Sequence, residues 1–223
     1  MNLIGSINKY LDELFLNPVS ELDYNKDYEL LISVMLSAQT TDKRVNEVGK
    51  ILYTKYPSLE DLKNADIEDI KNIIRPLGSF NKKASNVIEI SKRLLEDKNG
   101  VVPCDRDYLE SLPGVGRKTT NVVLGILFNV PCIAVDTHVE RVSKRIGLAN
   151  DEDSVLEVEK KLSEIYKDDN MIKRHHQILL FGRYHCKAKN PLCEQCKLKH
   201  ICKKKSWLNF NSFYLNVNVV EAV

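Results

Sequence analysis

Apolar positions recur at helical spacing along almost the whole chain. From Tyr28 to Ala38 they are continuous enough for a helix buried on every side. Ser58-Leu59-Glu60-Asp61 and Asp66-Ile67-Glu68-Asp69 each set a capping oxygen ahead of acids, the pattern of a helix start. Between Ala84 and Leu95, residues Val87, Ile88, Ser91, Leu94 and Leu95 fall on one face, with Lys92, Arg93 and Glu96 off it. Asn99-Gly100 stops that helix and Pro103 keeps it stopped. A short helix to Leu112, the turn Pro113-Gly114-Val115-Gly116 and an apolar helix from Arg117 to Leu127 follow, the last broken by Pro131. Further helices are predicted after Asp136, over about Asp151 to Tyr166, and through His175 to Tyr184. No run of alternating strand residues precedes position 206, so the fold class is all-α. Beyond it, Phe213, Leu215, Val217 and Val219 alternate with Tyr214, Asn216 and Asn218 in a strand-like way; a loosely packed end is the plainer reading. The clusters Asp151 to Asp153 and Lys167 to Asp169 read as solvated helix ends.

Composition narrows this picture only slightly. With 223 residues, 43% of them apolar, the chain is long enough for one large domain or two small ones. The net charge of +2 does not by itself indicate a nucleic-acid partner, so the placement of the charges matters more than their sum. The uncharged stretches Asn121 to Val135 and Ser206 to Val220 fall short of the roughly 20 apolar residues of a membrane span. No signal peptide is expected from the N-terminal residues. A cytoplasmic protein without membrane association is the expectation.

The turn between two of these helices is chemically specific. Leu112-Pro113-Gly114-Val115-Gly116-Arg117-Lys118-Thr119 places two glycines where main-chain N–H groups approach a ligand closely. The helix that begins at once turns its unpaired N–H groups and positive dipole end to the same point, which suits a phosphate oxygen. A tight turn between packed helices would explain a lone G-x-G equally well; the full string is far more specific.

Lys118 lies in the first turn of that helix, where a cation opposes the dipole. A lysine nucleophile must be neutral, so its site has to disfavour the ammonium. The helix terminus supplies ~1 kcal/mol of that, and desolvation with neighbouring Arg117 the rest. An ordinary phosphate contact is the competing reading. Asp136, in Val135-Asp136-Thr137-His138-Val139-Glu140, is either a helix N-cap, with Thr137 to Glu140 resembling a capping box, or a carboxylate at the mouth of a cleft that stabilises positive charge or relays a proton.

Six cysteines in a chain without an export signal argue for metal rather than disulfides. Cys186, Cys193, Cys196 and Cys202 form C-x6-C-x2-C-x5-C. Zinc usually takes two C-x2-C pairs, whereas four thiolates in this spacing suit a [4Fe–4S] cluster. Cys104 and Cys132 are expected as small buried hydrophobes. Basic residues concentrate in the same region: Lys187, Lys189, Lys197, Lys199, Lys203, Lys204 and Lys205 face only Glu194. A cationic patch for a DNA backbone follows, although Lys203 to Lys205 would also fit a solvated tail.

Taken in order, Leu36-Ser37-Ala38-Gln39, the Leu112 to Thr119 string, Val135-Asp136-Thr137-His138 and the cysteine spacing resemble the endonuclease III family of DNA repair glycosylases over most of residues 1 to 205. The resemblance implies two helical domains. One is a six-helix barrel with a helix-hairpin-helix motif over 21–133. The other is an iron–sulfur domain over 1–20 and 134–205, leaving a tail at 206–223. Duplex DNA with a damaged base or abasic site would lie in the cleft between them, bound by a monomer that flips the damaged nucleotide out of the stack.

It further implies that Lys118 attacks the sugar C1′ and forms a Schiff base, followed by β-elimination, with Asp136 as the matching aspartate. Gln39 matches a residue that fills the hole left by the flipped base. The family's leucine wedge is replaced here by Ser79, with Phe80 beside it. Phe80 is either the wedge, stacking on a base, or part of the barrel core. The implied DNA-binding set is Gln39, Ser79, Phe80, Gly114, Val115, Gly116, Arg117, His138 and Lys189. Oxidised or damaged pyrimidines are the expected substrates. A monofunctional adenine or mismatch-thymine glycosylase is the nearest alternative, disfavoured by Lys118. A non-enzymatic DNA-binding protein with a structural cluster is the other.

Overall fold

The computed structural model describes residues 2–203. The alternating segment after position 206, with Lys204 and Lys205, lies outside the described residues. Among the described residues every regular element is helical, and none is long and apolar enough to cross a membrane. The chain divides into two compact units. One runs from Val19 to Ala134; the other joins the residues up to Pro18 with those from Val135 onward.

The Val19–Ala134 unit is organised around α2 (Asp27–Leu36), the buried apolar helix that the sequence predicts. Leu30, Leu31, Ile32 and Leu36 are fully buried. Around α2 pack α3 (Asp42–Lys55), α6 (Phe80–Lys98) and α8 (Arg117–Phe128). The short helices α4 (Leu59–Lys63) and α5 (Ile67–Ile74) lie against α6. Their caps are the expected ones. Ser58 and Asp61 form a reciprocal capping box, and Asp66 accepts from the Glu68 N–H. A single 3-10 turn, Arg75–Leu77, leads from α5 into the approach to α6.

Helix α6 ends as predicted. Asn99 takes a left-handed conformation at φ 53°, and the Gly100 N–H returns to Leu94 O at 2.9 Å. After α7 (Arg106–Ser111) and α8, the outcome differs from expectation. Asn129, not Pro131, terminates α8. Its left-handed φ of 54° lets the Asn129 and Val130 N–H groups both close on Leu124 O. Cys104 also departs from the reading of a buried hydrophobe: it is exposed, in the loop between Pro103 and the α7 cap Asp105.

In the second unit, α1 (Leu3–Leu14) packs on α11 (Met171–Leu180), and α9 (Thr137–Arg145) packs on α10 (Val155–Ile165) and α11. A buried polar network explains why the N-terminal helix belongs here. Arg174 reaches Asp12 of α1 at 3.0 Å and Asp169 at 2.7 Å, and Gln177 donates to Asp12 at 2.9 Å. Burial by itself raises the Asp12 carboxyl. Hydrogen bonds from Lys173, Gln177 and Arg174 outweigh it and hold the group down at about 2. Helix α10 starts later than the pattern suggested, at a Ser154–Glu157 capping box, because Asp151 and Glu152 are spent in a turn. Helix α11 passes without a break into a π-helical turn, Phe181–His185.

Candidate nucleic-acid interface and metal centre

The hairpin is built by α7, α8 and the residues between them. Leu112 and Val115 are buried and anchor the turn to the core; the Val115 N–H closes on Leu112 O at 3.1 Å. The two glycines do different work. Gly114 has φ +77°, and a Cβ there would collide with Asn86 Nδ2 and stand 3.2 Å from Met35 Cγ. Both its backbone and its packing exclude other residues. Gly116 has φ −104° and ψ −179°, extended backbone open to any residue. A Cβ on Gly116 would meet no atom within 4 Å. Nothing among the described residues requires glycine there, whereas a ligand pressed against the main chain would.

Gly116 is the N-cap of α8, and no side chain caps that terminus. The first intrahelical bond is Thr120 N–H to Gly116 O at 3.0 Å. Among the described residues the N–H groups of Lys118 and Thr119 therefore have no side-chain acceptor, an arrangement that suits an anion at the positive helix end. Arg117 and Lys118 are exposed beside it.

Two further turns of this unit carry sequence-predicted residues. Gln39, just past the end of α2, is exposed and left-handed at φ 60°, a conformation rare for a residue of its type. Ser79 is likewise exposed and left-handed, at φ 49°, after Gly78 at φ 67°. Phe80 opens α6, half-buried against the core, with the Arg75 guanidinium 5.6 Å from its ring centroid.

In the other unit Asp136 is the N-cap of α9. Its Oδ1 accepts from the His138 and Val139 N–H groups, both at 2.8 Å. Thr137 is the first helical residue, so the expected Thr137–Glu140 box does not form; Glu140 instead takes a hydrogen bond from Lys144 at 2.7 Å. His138 Nδ1 lies 3.2 Å from Arg141 Nη2. Gly182 of the π turn presses on the same place: a Cβ there would stand 2.9 Å from His138 Cβ.

The four clustered cysteines line one cavity of about 460 Å³, partly open to solvent, with Ile146, Phe181, His185, Leu192 and Leu198 in its walls. Burial pushes the Cys196 thiol up; a hydrogen bond with the Leu198 backbone pulls the other way, and the thiols of Cys186, Cys202 and Cys193 add smaller upward pushes. A cationic metal bound there would favour the thiolate form of these side chains. Four thiols around one cavity are a donor set that fits a polynuclear iron–sulfur cluster. Of the basic residues nearby, Lys197 is engaged by Glu13 at 2.6 Å, Lys199 by Glu194 at 2.8 Å, and Lys203 by Ala149 O at 3.2 Å. The expected cationic patch is thereby reduced. Lys187 and Lys189 remain exposed.

Two residues of consequence escaped the sequence reading. Arg141 donates to Gly182 O at 2.7 Å and to Cys186 O at 3.2 Å, and Arg145 reaches Cys186 Sγ at 3.3 Å. Their spacing of four on α9 was the available signal.

An all-helical fold, a glycine hairpin that opens on an uncapped helix end, and a four-thiol cavity define the class of helix-hairpin-helix DNA repair proteins with an iron–sulfur centre. Comparison with known families agrees. Residues 32–168 match the HhH-GPD superfamily base excision DNA repair protein model, and residues 186–202 match the iron-sulfur binding domain of endonuclease III. Endonuclease III of Bacillus subtilis (strain 168) is 46% identical over 87% of this chain and 89% of its own length. A solved trapped endonuclease III–DNA covalent intermediate, an estranged-adenine complex, superimposes with a TM-score of 0.88 at 44% identity, over 94% of this chain and 100% of that one. A non-covalent endonuclease III–DNA complex gives 0.88 at 46% identity with the same coverage. The chain belongs to the endonuclease III family. It is a DNA glycosylase/AP lyase whose cofactor is a [4Fe–4S] cluster.

Proposed function

We propose that this enzyme excises oxidised or otherwise damaged pyrimidines from duplex DNA and then cleaves the strand through a Schiff base on Lys118. The observation that carries the proposal is an exposed lysine in the uncapped first turn of α8, two residues after a glycine that nothing among the described residues requires. A backbone phosphate seated on the Lys118 and Thr119 N–H groups would bring the neighbouring sugar within reach of the Lys118 Nζ. Lys118 stands in solvent, so the bound duplex supplies the dry surroundings that a neutral lysine needs.

In the reaction, the Nζ lone pair forms a bond to C1′ as the glycosidic bond breaks and the base departs with its electron pair, taking a proton. The ring opens to the imine, and loss of the C2′ proton expels the 3′ phosphate. Asp136 uses Oδ1 to cap α9, which leaves Oδ2 to stabilise cationic character on the sugar or to relay a proton. Gln39 and the Gly78–Phe80 turn enter the space vacated by the flipped nucleotide. Gln39 offers donors and acceptors to the orphaned base, and Phe80, already partly in the core, offers one ring edge. Gly114, Val115, Gly116 and Arg117 hold the phosphate, and His138 and Lys189 contact the backbone.

Cys186, Cys193, Cys196 and Cys202 hold the cluster, which orders the basic loop that bears Lys187 and Lys189. The 21–133 segment acts as the hairpin-bearing domain and 134–205, with the first 20 residues, as the cluster domain. Every group the reaction needs is present in one chain, in accord with a monomer working on nucleoid DNA in a reducing cytoplasm.

The test is a comparison of duplexes carrying one oxidised pyrimidine, an adenine mismatch or a thymine mismatch. Base release coupled to strand cleavage on the first is expected. Release without cleavage, or release only from a mismatch, would reject the reading.

A further inference from the structure

Lys83 is a charged side chain where the helical pattern calls for an apolar one. It lies one turn before Val87 on the face of α6 that Val87, Ser91 and Leu94 bury, and it is only 5% exposed. Its Nζ donates to two backbone oxygens, Ala38 O at 2.8 Å and Leu77 O at 2.9 Å. An ammonium is costly to bury, and burial pulls its pKa down. Ala38 lies just past the Ser37 cap of α2, and Leu77 is the last residue of the Arg75–Leu77 turn; the nearby helix end carries partial negative charge, which favours a cation there.

What those carbonyls precede is the informative part. Ala38 is followed by Gln39 at φ 60°, and Leu77 by Gly78 at φ 67° and Ser79 at φ 49°. Left-handed backbone at Gln39 and Ser79 is unfavourable and persists only where the surroundings fix it. One buried side chain thus grips the peptide that enters each of the two exposed turns.

We infer that Lys83 is a positioning residue that yokes the Gln39 turn to the Gly78–Phe80 turn, so that both are presented together to the gap left by an extruded nucleotide. The inference rests on the reading above that these turns fill that gap. Lys83 touches no substrate; it fixes the spacing and aim of the groups that do. Loss of its charge would leave each turn free to relax separately.

The experiment uses the holoenzyme and a duplex with 2-aminopurine opposite an abasic site. The fluorescence change on binding reports how the stack is filled, and borohydride trapping reports chemistry. Lys83→Met, Gln39→Ala and the double variant are compared. Lys83→Met should lose the fluorescence response and trap more slowly by about tenfold or more, as expected for a charge-assisted hydrogen bond. The double variant should be no worse than the more affected single one. Lys83→Gln keeps a donor for one carbonyl, falls between, and stands in should Lys83→Met not fold. Additive losses, or a normal fluorescence response in the Lys83 variants, overturn the inference. A normal response in Gln39→Ala with a lost one in Lys83→Met would sink the assignment of Gln39 itself, and the yoke with it.

Discussion

Arg145 Nη1 stands 3.3 Å from the Sγ of Cys186, and the same nitrogen donates to the Cys186 and Lys187 carbonyls at 3.3 and 2.8 Å. Helix α9 therefore holds Cys186, the first of the four clustered cysteines, by its C-terminal arginine. Donors to a ligating sulfur stabilise the thiolate and orient it. Arg145→Met removes a charge-assisted donor set, a loss of about 1.5–3 kcal/mol. We expect less iron and sulfide per chain after exposure to air, and a lower Tm. Cluster retention equal to the parent's would show that the contact is incidental.

The two hairpin glycines should respond in opposite ways. Gly114→Ala meets both a left-handed φ and a steric collision, so it should destabilise the fold by about 1–3 kcal/mol. Gly116→Ala has ordinary angles and open space, so its cost to stability should be about 1 kcal/mol or less. Its DNA affinity should nevertheless fall about tenfold, because the added methyl occupies the path of the phosphate. Unfolding curves and DNA titrations of both variants make the check. An unchanged affinity in Gly116→Ala would remove the hairpin from the interface.

Asp136 has two separable roles. Asparagine caps a helix nearly as well as aspartate, so Asp136→Asn should keep stability within a few tenths of a kcal/mol. Its rate should still fall about a hundredfold or more, since the charge is gone. Asp136→Ala should lose the rate and also ~1 kcal/mol of stability. Near-parental turnover by Asp136→Asn would leave only the cap.

Much of this was legible in the chain itself. Local signals decided the capping residues Ser58 and Asp66, the stop at Asn99-Gly100, the hairpin and the cysteine spacing, and each acts over a few residues. Asp136 was ambiguous for the same reason: the cap that the structure shows and the chemistry proposed for it use different oxygens of one carboxylate. What the sequence hid depends on contacts between distant segments. Lys83 grips turns 45 and 6 residues away, Arg141 and Arg145 grip a loop more than 40 residues on, and Lys197 finds Glu13 across 184 residues. The end of α8 falls within one residue of the expected Leu127, but its stop is Asn129, which reaches the left-handed region two residues before the louder breaker Pro131.

The central claim is that Lys118 forms the covalent bond to DNA. Borohydride trapping on a duplex with a single abasic site, with the parent and Lys118→Gln side by side, tests it most directly. The parent should give a stable protein–DNA adduct whose peptide map places the modification on Lys118. Lys118→Gln should bind the same duplex yet give no adduct. Full trapping by Lys118→Gln, or an adduct mapped to another lysine in the parent, would contradict the account.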